Sequence, residues 1–325
     1  MTWTVTLSNL VLGVYGFTLI TGLPANLLAC YTFCRKIRQR STPMDVFLMS
    51  LTISDLLFLL FLPFRMVEAA NMKWTLPDFL CPLSGFVFFS MIYNSTLHLT
   101  AIAVERYLGV AFPIKYKLKR HPKNAAIAIV FFWLISFAHC SMVYVMQYHY
   151  LNPNITATSK RNTCYEEFND EQLRILLPYR LELFIVLFCA PLLVCCFCYI
   201  KFIHILYNLP NINTMKRRRA IGMAVGTLLV FIACFMPFSL THVVGYIGGY
   251  STEWRQYALL TNTLNACLDP FIFYFSSSAF REIFKSILRE LLRRIAMLCC
   301  QSVLYCPLLR GGIAGERAQR SDSSH

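Results

Sequence analysis

Residues 44–70 read MDVFLMSLTISDLLFLLFLPFRMVEAA, an apolar run with Asp55 near its middle. At 1.5 Å of rise per residue, roughly 20 such residues cross the hydrocarbon core of a bilayer as a helix. Lipid offers no partner for backbone N–H and C=O groups, so a spanning segment of this kind must be helical. Six more stretches of similar length follow the same pattern, near 10–34, 79–111, 124–147, 176–207, 219–248 and 255–276. Alternate gaps between the seven hold Arg35, Lys36, Arg38 and Arg40, then Arg106 and the 115–123 loop, then Lys201 and 216–219, then the tail. That side carries 23 of the 30 basic residues and the other side seven, with none in the first nine positions. Cytoplasmic loops collect Lys and Arg, so the expected fold is an all-α seven-transmembrane bundle with an extracellular N-terminus and a cytoplasmic tail.

Composition agrees. Apolar residues make up 57% of the chain and charged residues 14%, against a soluble norm of roughly 45–50% and 25%. The net charge of +14 is spread over the predicted inner loops, which suits an acidic lipid leaflet and gives no nucleic-acid surface. Residues 10–31 follow an uncharged start and meet their basic cluster on the far side, so they read as a retained first span. The expected division is a receptor-like domain over 1–294, ending in a short amphipathic helix near 278–294, and a disordered tail over 295–325. No sequence repeat argues for a transporter.

Of fourteen cysteines, Cys81 and Cys164 are the two that fall in extracellular segments. That side is oxidising, so the pair is expected to form a disulfide tying the long outer loop to the third span, the alternative being two free thiols. Cys195, Cys196 and Cys198 read as small apolar fillers in the fifth span. Cys299, Cys300 and Cys306 follow the amphipathic stretch and are candidates for palmitoylation. Asn154-Ile155-Thr156 is a glycosylation acceptor sequence in the outer loop; Asn94-Ser95-Thr96 matches the pattern but lies within the third span.

Ionisable and polar groups at membrane depth are costly, and each is a functional hypothesis. In order along the chain stand Asn26 after Gly22-x-Pro24-Ala25, Asp55 in Leu51-x-x-x-Asp55, Glu105-Arg106-Tyr107, Trp133, Pro191 with Tyr199, Pro237, and Asp269-Pro270. This series resembles the rhodopsin-like G-protein-coupled receptors over residues 10–290. The resemblance implies a plasma-membrane receptor in which Glu105, Arg106 and Tyr107 couple to a heterotrimeric G protein, with Arg106 pairing with Glu105 and then swinging toward the incoming partner. Sparse serines, Ser321, Ser323 and Ser324, are sites for phosphorylation and arrestin capture. Asp55, Ser95, Asn265 and Asp269 could form an oxygen-rich pocket for an allosteric sodium ion, or two of them could share a proton with no ion. No organic cofactor and no structural metal is implied. Two positions depart from the family pattern: Phe235 stands where tryptophan is usual, and Phe273 where tyrosine is.

Arg180 near the mouth of the fifth span, His242 in the sixth and Arg255 opening the seventh bring two permanent cations and a third donor to one end of the bundle. Arginine's planar fork grips a carboxylate through two parallel hydrogen bonds, and a facing pair of arginines calls for an anion between them. The segments LPYRLEL (177–183), THVVGY (241–246), RYLGVAFP (106–113) and DPFIFYFSSS (269–278) resemble the free fatty acid receptors, and within them the short-chain branch. The resemblance implies that Arg180, His242 and Arg255 hold acetate, propionate or butyrate, that Phe89 lines the pocket, and that signalling runs through inhibitory G proteins, with the phospholipase-activating class as the alternative. Glu166 is expected to dock on the arginines as a stand-in carboxylate when no ligand is bound. The competing readings are that Arg180 pairs with Glu182, that Arg255 is a rim charge near Glu253, and that His242 is structural.

Propionate has five heavy atoms, so its binding free energy is bounded near −7.5 kcal/mol, about low micromolar, before desolvation weakens it to about a tenth of a millimolar. A hydroxy acid or longer fatty acid is the alternative ligand, and a carboxylate transporter the alternative class. An opsin is excluded, because 255–276 contains no lysine. Nothing in the chain has the context of an enzyme.

Overall fold

The computed structural model describes residues 3–39, 41–119, 121–148, 163–164, 168–210, 213–276 and 278–304. Seven long helical segments follow the expected order: Val5–Gln39, Pro43–Asn71, Leu80–Ala111, Pro122–Met146, Asp170–Asn208, Thr214–Gly248 and Arg255–Ser276. The fourth runs through Ser141 with a change of helical segment, and a short helix, Pro113–Lys119, joins the third to it. Among the described residues there is no strand.

Local chemistry sets the ends. Thr42 caps the second span by accepting from the Asp45 N–H, with Pro43 in the first turn, where a missing N–H loses nothing. Asn169 and Gln172 form a reciprocal capping box at the start of the fifth span. Gly249 closes the sixth at φ 72°, a left-handed backbone that glycine adopts without a Cβ clash.

Six of the seven are long and apolar enough to be recognised as spans by length and composition; Arg255–Ser276 is not. Its polar residues are why. Gln256, Asn262, Thr263, Asn265 and Asp269 all lie buried, so this helix spends its polarity on the bundle interior. The third span is the central post, with 72% of its apolar window buried, against 17% for the fourth at the periphery. Outward-facing Ile20, Leu134, Leu193, Leu229 and Ile247 are each well exposed, a surface suited to hydrocarbon and not to water.

Polar contacts fix helix rotation. Asn26 donates to the Ala266 carbonyl at 2.7 Å, and Gly22 lets the first span approach the seventh so closely that a Cβ there would stand 3.3 Å from the Ala266 carbonyl oxygen. His98 Nδ1 lies 2.7 Å from the Asn94 carbonyl, so it carries the proton, and Nε2 accepts from Ser50 Oγ at 2.7 Å. The indole of Trp133 then donates to the same Ser50 oxygen at 3.1 Å. Asn94-Ser95-Thr96 is buried in mid-helix, as its rejection as a glycosylation site requires.

Cys81 and Cys164 are joined, with Cα atoms 5.6 Å apart. Asn154 and Glu166 lie outside the described residues. A second unit begins at Ala279. Its described part belongs to the helix Ser278–Leu304, which continues past residue 294, so Cys299 and Cys300 are helical positions. Cys306, Ser321, Ser323 and Ser324 lie outside the described residues.

Candidate functional site

At the disulfide end of the bundle, Arg180, His242 and Arg255 line one cavity together with Phe89, Tyr93 and Phe238. The three are 4%, 2% and 3% exposed, which rules out a rim position for Arg255. Each is delivered by a local feature of its helix. Arg180 lies two residues after Pro178 and just before the π-helical turn Ile185–Cys189, whose extra residue re-phases the faces of the fifth span. His242 lies five residues beyond Pro237, and Arg255 is the first residue of the seventh helix.

The guanidinium of Arg255 stands 5.4 Å from the ring of Phe89 and 5.2 Å from that of Phe238, and these two rings stack at 6.1 Å. Arg180 lies 5.2 Å from the ring of Phe168 and donates to Ser251 Oγ at 3.2 Å. Tyr93 Oη is 3.0 Å from His242 Nε2, and His242 Nδ1 is buried with no hydrogen-bond partner. When Tyr93 donates to Nε2, the ring proton sits on Nδ1, and the imidazole offers a neutral N–H. Glu182 turns away to His139, 3.0 Å from Nε2. The alternative that made it Arg180's partner is therefore not what the fold builds.

The space between the lining atoms is about 360 Å³ including the open mouth.

A second polar chamber lies in the middle of the bundle. Asp55, Ser95 and Asn265 line it with Asn262, and Phe235 forms part of its wall. Asn265 Nδ2 donates to Asp269 Oδ2 at 2.8 Å. Asp55 Oδ2, Asp269 Oδ1 and Asn265 Oδ1 are buried oxygens without a hydrogen-bond partner. Hard oxygen donors of this kind fit an alkali cation, and among the described residues no group of three His, Cys, Asp or Glu suits a transition metal.

At the opposite end, Arg106 reaches across the bundle, donating to Tyr199 Oη at 3.0 Å and Thr227 Oγ1 at 3.1 Å. Glu105 accepts from Tyr116 at 2.8 Å. The third, fifth and sixth spans thus meet at one guanidinium. Phe273 is fully buried and packs edge-on against Phe33 at 5.5 Å.

Sequence reading missed Tyr93, Asn262, Arg65 and Glu68. The last two carried a signal, as charges inside the second apolar stretch.

Comparison with known proteins bears on the whole arrangement. Residues 25–273 match the family described as "7 transmembrane receptor (rhodopsin family)". The chain is 47% identical over 282 residues to Free fatty acid receptor 3 of Mus musculus, covering 86% of this chain and 87% of the relative. It is 48% identical over 280 residues to Free fatty acid receptor 2 of Homo sapiens, covering 85% and 84%. Lysophosphatidic acid receptor 5 of Bos taurus is 31% identical over 318 residues, covering 92% and 85%.

Proposed function

Because this chain belongs to the rhodopsin-family seven-transmembrane receptors, and there to the free fatty acid receptors, we propose that its ligand is a short-chain carboxylate held by Arg180, His242 and Arg255. The protein is a multi-pass plasma-membrane receptor with a heterotrimeric G protein as its partner, and is not an enzyme. The observation that carries the finer reading is the burial of two guanidinium groups and an imidazole around one small cavity. The planar fork of a guanidinium matches a carboxylate's two oxygens, and a neutral imidazole N–H adds a third donor. A carboxylate of two to five carbons supplies two acceptor oxygens to the arginines and an edge to the Nδ1–H of His242, with its short tail against Phe89 and Phe238.

In this reading the disulfide end is extracellular, in accord with the basic loops at the other end. The central chamber lined by Asp55, Ser95 and Asn265, with Asp269 bonded to Asn265, holds sodium, which supplies a positive charge beside the carboxylates and stabilises the signalling-silent arrangement. Glu105, Arg106 and Tyr107 face an inhibitory-class G protein; movement of the sixth span would break the bond from Arg106 to Thr227 and open the surface. Arrestin binds later through the tail, and the basic helix Ser278–Leu304 lies on acidic lipid.

The test is G-protein activation by saturated carboxylates of one to twelve carbons, on wild type and on Arg180→Ala, His242→Ala and Arg255→Ala at matched surface density. A maximum at two to five carbons, lost in both arginine variants, is expected. A maximum at eight carbons or more, or arginine variants as responsive as wild type, refutes the reading. Uptake of labelled propionate would mark a transporter instead.

A further inference from the structure

Cys164 is held twice. Its side chain is bonded to Cys81 of the third span. Its backbone is held by the second: the N–H donates to Glu68 Oε1 at 2.6 Å, and the carbonyl accepts from Arg65 Nη1 at 3.2 Å. Arg65 Nη1 also lies 2.8 Å from Glu68 Oε2, and all three residues are more than nine-tenths buried. A disulfide fixes a sulfur position and leaves the adjoining peptide planes able to turn. An acceptor on the N–H and a donor on the C=O of the same residue stop that turning.

We propose that Arg65 and Glu68 are positioning residues for the ligand cavity, acting through the backbone of Cys164. Contacts lead from this clasp to Arg255, and the chain itself ties it to a residue that faces Arg180. On one side the Arg65 guanidinium lies 5.9 Å from the Phe88 ring, Phe88 meets Phe89 edge-on at 5.7 Å, and Phe89 lies under Arg255. On the other, Phe168, whose ring faces Arg180, comes four residues after Cys164. Four residues reach at most about 14 Å, so the placement of Cys164 limits where Phe168 can sit. Mutual attraction does not account for the pair. A buried ion pair is roughly neutral in stability against apolar residues of similar volume, because desolvation offsets its Coulomb gain. Beyond such residues, Arg65 and Glu68 supply a donor and an acceptor to Cys164.

The inference rests on the cavity being the carboxylate site, and two readouts keep the failures apart. One is propionate potency in G-protein activation at matched surface density. The other is amide hydrogen exchange of the segment containing Thr163 and Cys164 in purified full-length receptor, which needs no ligand. The apolar pair Arg65→Met/Glu68→Leu preserves packing and removes the clasp. The reversed pair Arg65→Glu/Glu68→Arg restores opposite charges but presents an acceptor to the carbonyl and a donor to the N–H. Both are expected to speed exchange at the loop and to weaken propionate about tenfold, the loss of one or two charge-assisted hydrogen bonds. Wild-type exchange in the apolar pair, or recovery of exchange and potency in the reversed pair, overturns the proposal. A wild-type receptor silent toward propionate would instead overturn the carboxylate reading and leave the exchange result to judge the clasp.

Discussion

Arg255 lies against two stacked phenylalanines, and that environment separates shape from charge. Lysine at 255 would keep the charge but lose the planar fork that can lie on a ring and grip both oxygens of a carboxylate. Arg255→Lys is therefore expected to lose ~30-fold or more in propionate potency, the weight of one two-point contact to a carboxylate; a potency within about threefold of wild type in a dose–response assay would refute the two-point contact. Tyr93 is a subtler case, because it reaches the cavity through the 3.0 Å contact with His242 Nε2. Tyr93→Phe removes the hydroxyl that sets which ring nitrogen carries the proton, and a roughly tenfold loss follows from one lost buried hydrogen bond. If the hydroxyl works through the imidazole, adding Tyr93→Phe to His242→Ala costs nothing further. Additive losses in that double-mutant cycle would show Tyr93 acting by itself.

Whole helices follow simpler rules, and most of the fold was legible for that reason. Lipid forces every span to satisfy its own backbone, so hydropathy marks six of the seven helices, while the buried polar residues of Arg255–Ser276 hold that helix below the mark. That Arg180, His242 and Arg255 come to one end of the bundle was legible too, since polar groups near a span's end stand out against apolar neighbours. What hydropathy cannot give is rotation about each helix axis. The pairing of Arg106 with Glu105 was an expectation from adjacency, whereas its bonds to Tyr199 and Thr227, 93 and 121 positions away, depend on how three helices are turned. Arg65 and Glu68 were passed over because their shared partner, Cys164, lies nearly a hundred residues on. Gly22 shows how tightly one such rotation is set. A side chain there meets the Ala266 carbonyl, the same oxygen that accepts from Asn26. Gly22→Val should wedge the first and seventh spans apart and destabilise the detergent-purified receptor by about 1–3 kcal/mol, the usual range for overpacking. A thermal-unfolding midpoint equal to wild type would show that the two helices have room to separate.

Across the whole molecule, three polar layers lie one below another: the arginine cavity, the chamber around Asp55 and Asp269, and Arg106 at the far end. Helices three, six and seven pass through more than one of them. Phe235 forms part of the chamber's wall, and Phe238, three residues along the same helix, lines the cavity and packs against His242 at 4.8 Å. A ligand that drew the sixth span toward the arginines would therefore reshape the chamber below. Whatever occupies the chamber must in turn alter the ligand's affinity by the same factor, because coupling between two binding sites is reciprocal. Sodium held there is expected to lower propionate affinity about fivefold when sodium replaces an impermeant organic cation at fixed ionic strength. Asp55→Asn removes one of the two carboxylates, and with it the dependence on sodium. A shared proton in place of the ion makes a different prediction: binding would follow pH and ignore sodium. Equilibrium binding of labelled propionate to membranes, with sodium and pH varied independently, decides between them, and an affinity indifferent to sodium in the wild type would remove the ion from this receptor's mechanism.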